Sequence, residues 1–232
     1  MNHLKQQGVP IDYCIIGEPS GEKQVGDTLK IGRRGSLTGR FQVNGQQGHI
    51  AYPQRADNPI HRALPALQAL ATQVWDPEPS RYFPETRLQF SQLHAGTTAV
   101  NVIPGTLQGA FNFRFSNMVS PEALQRGVEA HFQAHGCSVE IAWEFSGKPF
   151  LTETGRLIDA CKTAIFETQG ITPNLSTDGG TSDGRFIAPE GIEVVELGVC
   201  NHRIHAINEY VPLADLTQLQ AIYERVLSLL LA

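Results

Sequence analysis

Residues 176–211 hold two features that could do chemistry. Gly179-Gly180-Thr181-Ser182-Asp183-Gly184 is a glycine turn ahead of a short helix, and such a turn lets backbone N–H groups converge on an anionic or carbonyl oxygen. It lacks the lysine and spacing of a P-loop, and Ser182 is not in a Gly-x-Ser-x-Gly elbow. Beyond a hydrophobic strand, Asn201-His202-Arg203-Ile204-His205 offers two histidines, and a histidine held at a strand end is a common metal ligand. The flanking Val-Cys-Asn and Tyr-Val-Pro argue against helix, and in extended chain residues three apart point to opposite sides. At most one of His202 and His205 is therefore expected to be a ligand.

Three further residues could contribute. Glu18 closes an apolar run in Ile-Ile-Gly-Glu-Pro-Ser, at a strand end where α/β folds place ligands and catalysts; a surface turn acid is the alternative. His49 follows a strand in Gly-Gln-Gln-Gly-His. Arg114 alternates with aromatics in Phe-Asn-Phe-Arg-Phe, where a charged side chain is usually solvated or paired and sometimes anchors a carboxylate.

The elements that must position these residues fall into two kinds. Strands are expected at 13–16, 28–32, 36–44, 86–93, 106–115, 137–145 and 193–197. Helices are expected at 58–75, 120–135, 155–169 and 213–230, the first two opened by Asn58-Pro59 and Ser120-Pro121. Over roughly 36–147 the order is βαββαβ, in which two helices cover one face of an antiparallel sheet. The outer pieces read as an α/β layer with only about three credible strands, thin for a sheet covered on both faces. The boundaries expected are 1–35 and 149–232 for the outer segments and 36–148 for the inserted domain.

Composition narrows the class. Hydrophobic content of 41% and charged content of 18% are ordinary for a globular protein. A net charge of −5 without basic, aromatic-interleaved runs argues against nucleic acid. No apolar stretch approaches a membrane span, and 1–13 does not read as a signal peptide. The four scattered cysteines read as buried thiols of a reducing compartment, so the expected location is cytoplasmic.

Together, 14–20, 33–53, 101–116, 176–188 and 196–211 closely resemble the zinc amidohydrolases related to aminoacylases and carboxypeptidase G2, and within them the desuccinylase branch. The resemblance implies an α/β catalytic domain of the zinc-peptidase type, with the inserted α+β (ferredoxin-like) domain serving as lid and dimerisation domain of a homodimer. It implies two zinc ions, with Glu18 matching a ligand of one and His205 a ligand of the other. It implies that His49 reaches the partner subunit's site to stabilise an oxyanion, and that Arg114 grips a substrate carboxylate. Ser36, Tyr52, Asn101, Gly180, Thr181 and Asn201 match substrate-contacting positions, and His202 matches no ligand. The implied reaction is hydrolysis of N-succinyl-L,L-diaminopimelate to succinate and diaminopimelate, in lysine and diaminopimelate biosynthesis.

The departure from the pattern is as informative. Members of the family begin with a half-domain carrying His-x-Asp, a bridging aspartate and a Glu-Glu pair that supplies the general base. None of these occurs in this sequence. One ligand for each metal is too few, because catalytic zinc takes three protein ligands. The catalytic domain is therefore expected to be incomplete, and the chain alone inactive: a truncated desuccinylase. The alternatives are a non-catalytic fragment that dimerises or binds a carboxylate, a split enzyme completed by another polypeptide, and another N-acyl-amino-acid amidohydrolase. An incomplete outer layer is also expected to leave apolar surface open.

Overall fold

The computed structural model describes residues 6–96 and 98–232. They divide into two compact units, one of 6–34, 82–84 and 149–232, the other of 35–81, 85–96 and 98–148. Sequence reading left 82–84 inside the middle segment, whereas the structure joins them to the first unit.

The first unit is a mixed α/β layer. Its sheet runs in the order β1 (Tyr13–Ile16), β12 (Glu193–Glu196), β2 (Thr28–Lys30), β11 (Asn174–Ser176). β1 is parallel to β12 and β11 to β2, while β12 and β2 are antiparallel. A two-residue ladder joins β3 (Gly32–Arg33) to β10 (Phe150–Leu151). These six strands of two to four residues exceed the three legible in the sequence, because such short strands show too little alternation to detect. Helix α3 (Arg156–Gln169), ended by left-handed Gly170, buries Leu157, Ile158, Cys161, Ala164 and Ile165. Helix α5 (Leu213–Leu231) adds Ile222 and Val226 to a core that includes Leu29, Ile31, Val195 and Leu197. Much of its remaining apolar surface is open, with Leu213, Leu216, Leu227 and Leu231 all exposed. Helix α4 is a single turn, Gly184–Ile187.

The second unit is the α+β domain. Strands β4 (Gly35–Asn44), β6 (Arg87–Ala95), β8 (Thr106–Phe115) and β9 (Glu140–Gly147) form an antiparallel sheet in the order β6-β8-β4-β9. With helices α1 (Pro59–Thr72) and α2 (Pro121–Ala134) interposed, this is the ferredoxin-like βαββαβ arrangement. Both helices begin as their residues dictate: the Asn58 side chain accepts from Ile60 N at 3.0 Å, Ser120 Oγ accepts from Ala123 N at 3.1 Å, and each is followed by a first-turn proline. Helix α1 stops three residues short of the expected Trp75, and Val74 lies exposed beyond it.

One face of this sheet meets the helices through Leu37, Phe41, Val43, Leu107, Phe111, Phe113 and Phe115. Aromatic rings lie directly over glycines there: a Cβ on Gly39 would stand 2.2 Å from the Phe111 ring, and one on Gly35 2.2 Å from Phe115. A minor ladder of β5 (Gly48–His49) with β7 (Val102–Ile103) stands beside the main sheet.

Candidate functional site

In the first unit, the loops after β1 and β12 are zipped together. Leu197 N donates to Ile16 O at 3.0 Å, Gly21 N to Val199 O at 3.2 Å, and Asn201 N to Gly21 O at 2.8 Å. Gly198 N donates to Ser20 Oγ at 3.1 Å. The closest approach is at Gly198, where a Cβ would lie 2.3 Å from the Glu18 carbonyl oxygen. The Tyr223 hydroxyl of α5 donates to Leu197 O behind the same turn. Glu18 and Asn201 thus stand on adjoining loops at the C-terminal ends of two parallel strands, where open α/β sheets place ligands.

His205 follows on the same loop. It has φ +57°, and Asn208 has φ +60°, a left-handed conformation that non-glycine residues seldom adopt. Two turns, Ile204 N to Asn201 O and Ala206 N to Arg203 O, both 3.1 Å, fold the segment. The chain is therefore not extended between His202 and His205, as sequence reading assumed. The two histidines differ in their surroundings instead: His202 meets the Tyr210 ring edge-on at 6.5 Å, with Arg203 over that ring at 5.0 Å. Glu18 and His205 are both exposed. Among the described residues no three His, Cys, Asp or Glu side chains converge as a metal site would require. The residues present do not by themselves fit a zinc ion, since one carboxylate and one imidazole fall short of three protein ligands.

The glycine turn is held from behind by charges that sequence reading did not single out. Arg33 Nε donates to Glu196 Oε2 at 2.8 Å, its Nη2 donates to the same oxygen, and its Nη1 donates to Asp178 O. Ser182 Oγ donates to the other Glu196 oxygen, so one buried carboxylate ties both ends of the turn. Gly179, at φ +96°, has no room for a side chain: a Cβ would stand 2.2 Å from Arg33 Nη1. Lys30 Nζ donates to Ser176 Oγ at 2.9 Å, and that oxygen also accepts from Asp178 N at 3.1 Å. Burial, and then the Arg33 charge, hold the Lys30 pKa below its ordinary value. Outside this anchor, Gly180 faces open space and the Thr181 hydroxyl accepts from Arg185 Nη1 at 3.2 Å. One signal did exist in the sequence: Glu196 sits within the run Val-Val-Glu-Leu, and a carboxylate in a buried strand demands a partner.

In the second unit the expected residues form two groups. Ser36 and Arg114 are direct cross-strand partners on β4 and β8. Asn112 Nδ2 donates to Ser36 Oγ at 3.1 Å and to Thr38 Oγ1 at 3.0 Å, which fixes the buried serine. His49, Tyr52 and Asn101 gather at the minor ladder. Ile50 N donates to Asn101 O at 3.0 Å, and the His49 and Tyr52 rings are 5.8 Å apart. Ala51 N donates to His49 Nδ1 at 3.1 Å, so a neutral His49 carries its proton on Nε2. That leaves Nε2–H as a donor on an exposed ring, as an oxyanion contact needs.

Comparison with known proteins gives these groups a context. Residues 31–139 match the peptidase dimerisation domain. The chain is 52% identical over 229 residues to a succinyl-diaminopimelate desuccinylase of Methylococcus capsulatus, covering 99% of this chain and 60% of that protein. It is 53% identical over 228 residues to the enzyme of the same name from Alkalilimnicola ehrlichii, again 60% of that protein. The chain therefore spans about three fifths of the length of these homologues. An M20 family metallo-carboxypeptidase from Sulfolobus solfataricus shares the fold at TM-score 0.78 and 15% identity, over 98% of this chain and 66% of that one. An aminopeptidase, PepT, from Bacillus cereus does so at TM-score 0.77 and 22% identity, over 95% and 58%.

Proposed function

We propose that this chain, a homologue of the succinyl-diaminopimelate desuccinylases, is the lid-bearing and C-terminal part of such an enzyme, acting on the amide of N-succinyl-L,L-diaminopimelate. The identity of 52% over 99% of the chain carries this reading. The geometry supports it in three places: the zipped strand ends bearing Glu18 and Asn201, the anchored turn at Gly180 and Thr181, and the donor face of His49.

Each residue takes a role that its surroundings suit. The Gly180–Thr181 turn and Asn201 orient substrate oxygens, and because the turn is fixed before substrate arrives it reorganises little on binding. Arg114 with Ser36 takes a carboxylate. His49, supplied from a second copy of the chain, donates through Nε2 to the negative charge that develops on the attacked carbonyl oxygen. Tyr52 and Asn101 line the same approach. Glu18 and His205 would supply one oxygen and one nitrogen donor to a zinc centre whose other ligands, and the general base, would come from polypeptide outside this sequence. Domain organisation follows the same reading, with 1–35 and 149–232 as catalytic segments and 36–148 as the lid through which two copies pair.

Alone, the chain does not turn over substrate in this reading. The rival is a fragment that only dimerises or binds carboxylates, and the lack of a convergent metal site among the described residues is expected on both readings. Mixing the purified chain with the remaining two fifths of a homologue, with zinc, and assaying succinate release separates the two. Zinc-dependent release abolished by Glu18→Ala supports the desuccinylase reading; no release from a complex shown to assemble supports the rival.

A further inference from the structure

The helix-free face of the second unit's sheet carries a row of three residues from adjacent strands. Arg87 on β6 is the direct partner of Arg114 on β8, and Arg114 is the direct partner of Ser36 on β4. Directly opposed residues share a face, with Cβ atoms about 4.5–5.5 Å apart. The flanking residues Leu88, Phe113 and Leu37 all point to the buried helix side, which confirms the alternation.

Two like charges set side by side destabilise a sheet unless something neutralises them. Arg87 has a single loose ion pair, 3.6 Å to Glu85, with its side chain 71% exposed. Arg114 has an Nη1 nitrogen that is buried yet meets no hydrogen-bond acceptor. A buried, unsatisfied guanidinium nitrogen costs free energy unless an acceptor arrives. The rest of this end of the face is already satisfied, because Asn112 is committed to Ser36 and Thr38. What the row lacks is an anion.

We propose that Arg87 and Arg114 together form a carboxylate-binding pair, and that Arg87 sets a preference for ligands carrying two carboxylates over those carrying one. This deepens the role given to Arg114 above and rests on that reading. A carboxylate taken edge-on occupies one guanidinium, so the first carboxylate of a ligand engages Arg114 and a second is left for Arg87. Arg114, half-buried, supplies the fixed contact. Arg87, exposed, supplies a screened charge that a second carboxylate exploits and a monocarboxylate does not.

The test uses the full chain, labelled with nitrogen-15, titrated with succinate, acetate and sodium chloride at matched ionic strength. The Arg114 side-chain Nε–H signal, assigned by its loss in Arg114→Lys, reports binding. Succinate is expected to shift it saturably and acetate more weakly. Arg87→Gln should weaken succinate binding about three- to tenfold while leaving the acetate curve in place, and Arg87→Lys should restore most of the loss. Unchanged backbone signals at Phe111 and Phe113 show that the fold survives each substitution. The proposal is overturned if Arg87→Gln leaves the succinate curve unaltered, or if the three salts shift Arg114 alike, an effect of ionic strength only. Succinate release in the reconstituted assay is a separate readout: binding at the pair without hydrolysis sinks the desuccinylase reading alone, and hydrolysis with an unaltered Arg87→Gln binding curve sinks this one alone.

Discussion

Arg33 and Glu196, 163 positions apart in sequence, form a buried ion pair that fixes the glycine turn between Asp178 and Ser182. The pair closes a gap that neither local propensity nor hydrophobic patterning could close, and it sits beneath the residues most expected to meet substrate. Removing one partner leaves the other charge buried alone. Glu196→Ala or Arg33→Ala should therefore lower unfolding stability by about 3–5 kcal/mol, read from urea denaturation. Replacing both by apolar residues should cost much less.

Lys30 predicts a pH dependence. Its pKa is lowered in the folded state by burial first and the Arg33 charge second, from an ordinary 10.5. A group with a lowered folded pKa binds fewer protons when folded, so its penalty is full below the folded pKa and fades as pH rises towards the unfolded value. The stability of the native protein relative to Lys30→Met should therefore increase between about pH 7 and about pH 10. Denaturant melts of both proteins at the two values check this, and a flat difference would contradict it.

Gly198 is expected to be intolerant for a packing reason. A Cβ there would meet the Glu18 carbonyl oxygen at 2.3 Å, and that oxygen, being backbone, cannot swing aside. Gly198→Ala should part the two strand-end loops, costing about 1–3 kcal/mol and speeding hydrogen exchange at Leu197, Gly21 and Asn201, whose amides make the zipper. Gly180→Ala, with open space around its Cβ position, should leave those amides unchanged.

Two thiols, the buried Cys161 and the half-buried Cys200, should resist reagents. Burial pushes the Cys161 pKa up to about 12, and burial with the nearby Asp215 carboxylate pushes Cys200 up to about 11. Since the thiolate is the nucleophile, alkylation of the native protein near neutral pH should leave Cys161 unmodified until the chain unfolds. Peptide mass spectrometry reads the order.

The sequence made some of this visible and hid the rest for identifiable reasons. The caps Asn58 and Ser120 and the alternation from Leu37 to Val43 are local signals, and the ferredoxin-like unit follows from them. The strands of the other unit are two to four residues long, so most carried no period to read. The extended chain assumed for His202 and His205 is a pair of turns, with His205 at positive φ. Arg33 and Glu196 went unremarked, and Ser182 was weighed only as a nucleophile, because a buried pair is a relation between distant strands, which residue spacing does not encode. Arg87 was likewise unmarked until register set it opposite Arg114.

The central claim is that this chain carries a substrate-orienting and lid portion of a desuccinylase whose base and remaining metal ligands lie in other polypeptide. Succinate release from N-succinyl-L,L-diaminopimelate tests it most directly, measured for the chain alone and for the chain reconstituted with the remaining two fifths of a homologue. The account predicts no turnover by the chain alone, and zinc-dependent turnover on reconstitution that is lost in Glu18→Ala and His205→Ala. Turnover by the purified chain alone that is sensitive to Glu18→Ala, or an assembled complex that stays inactive with zinc, would contradict it.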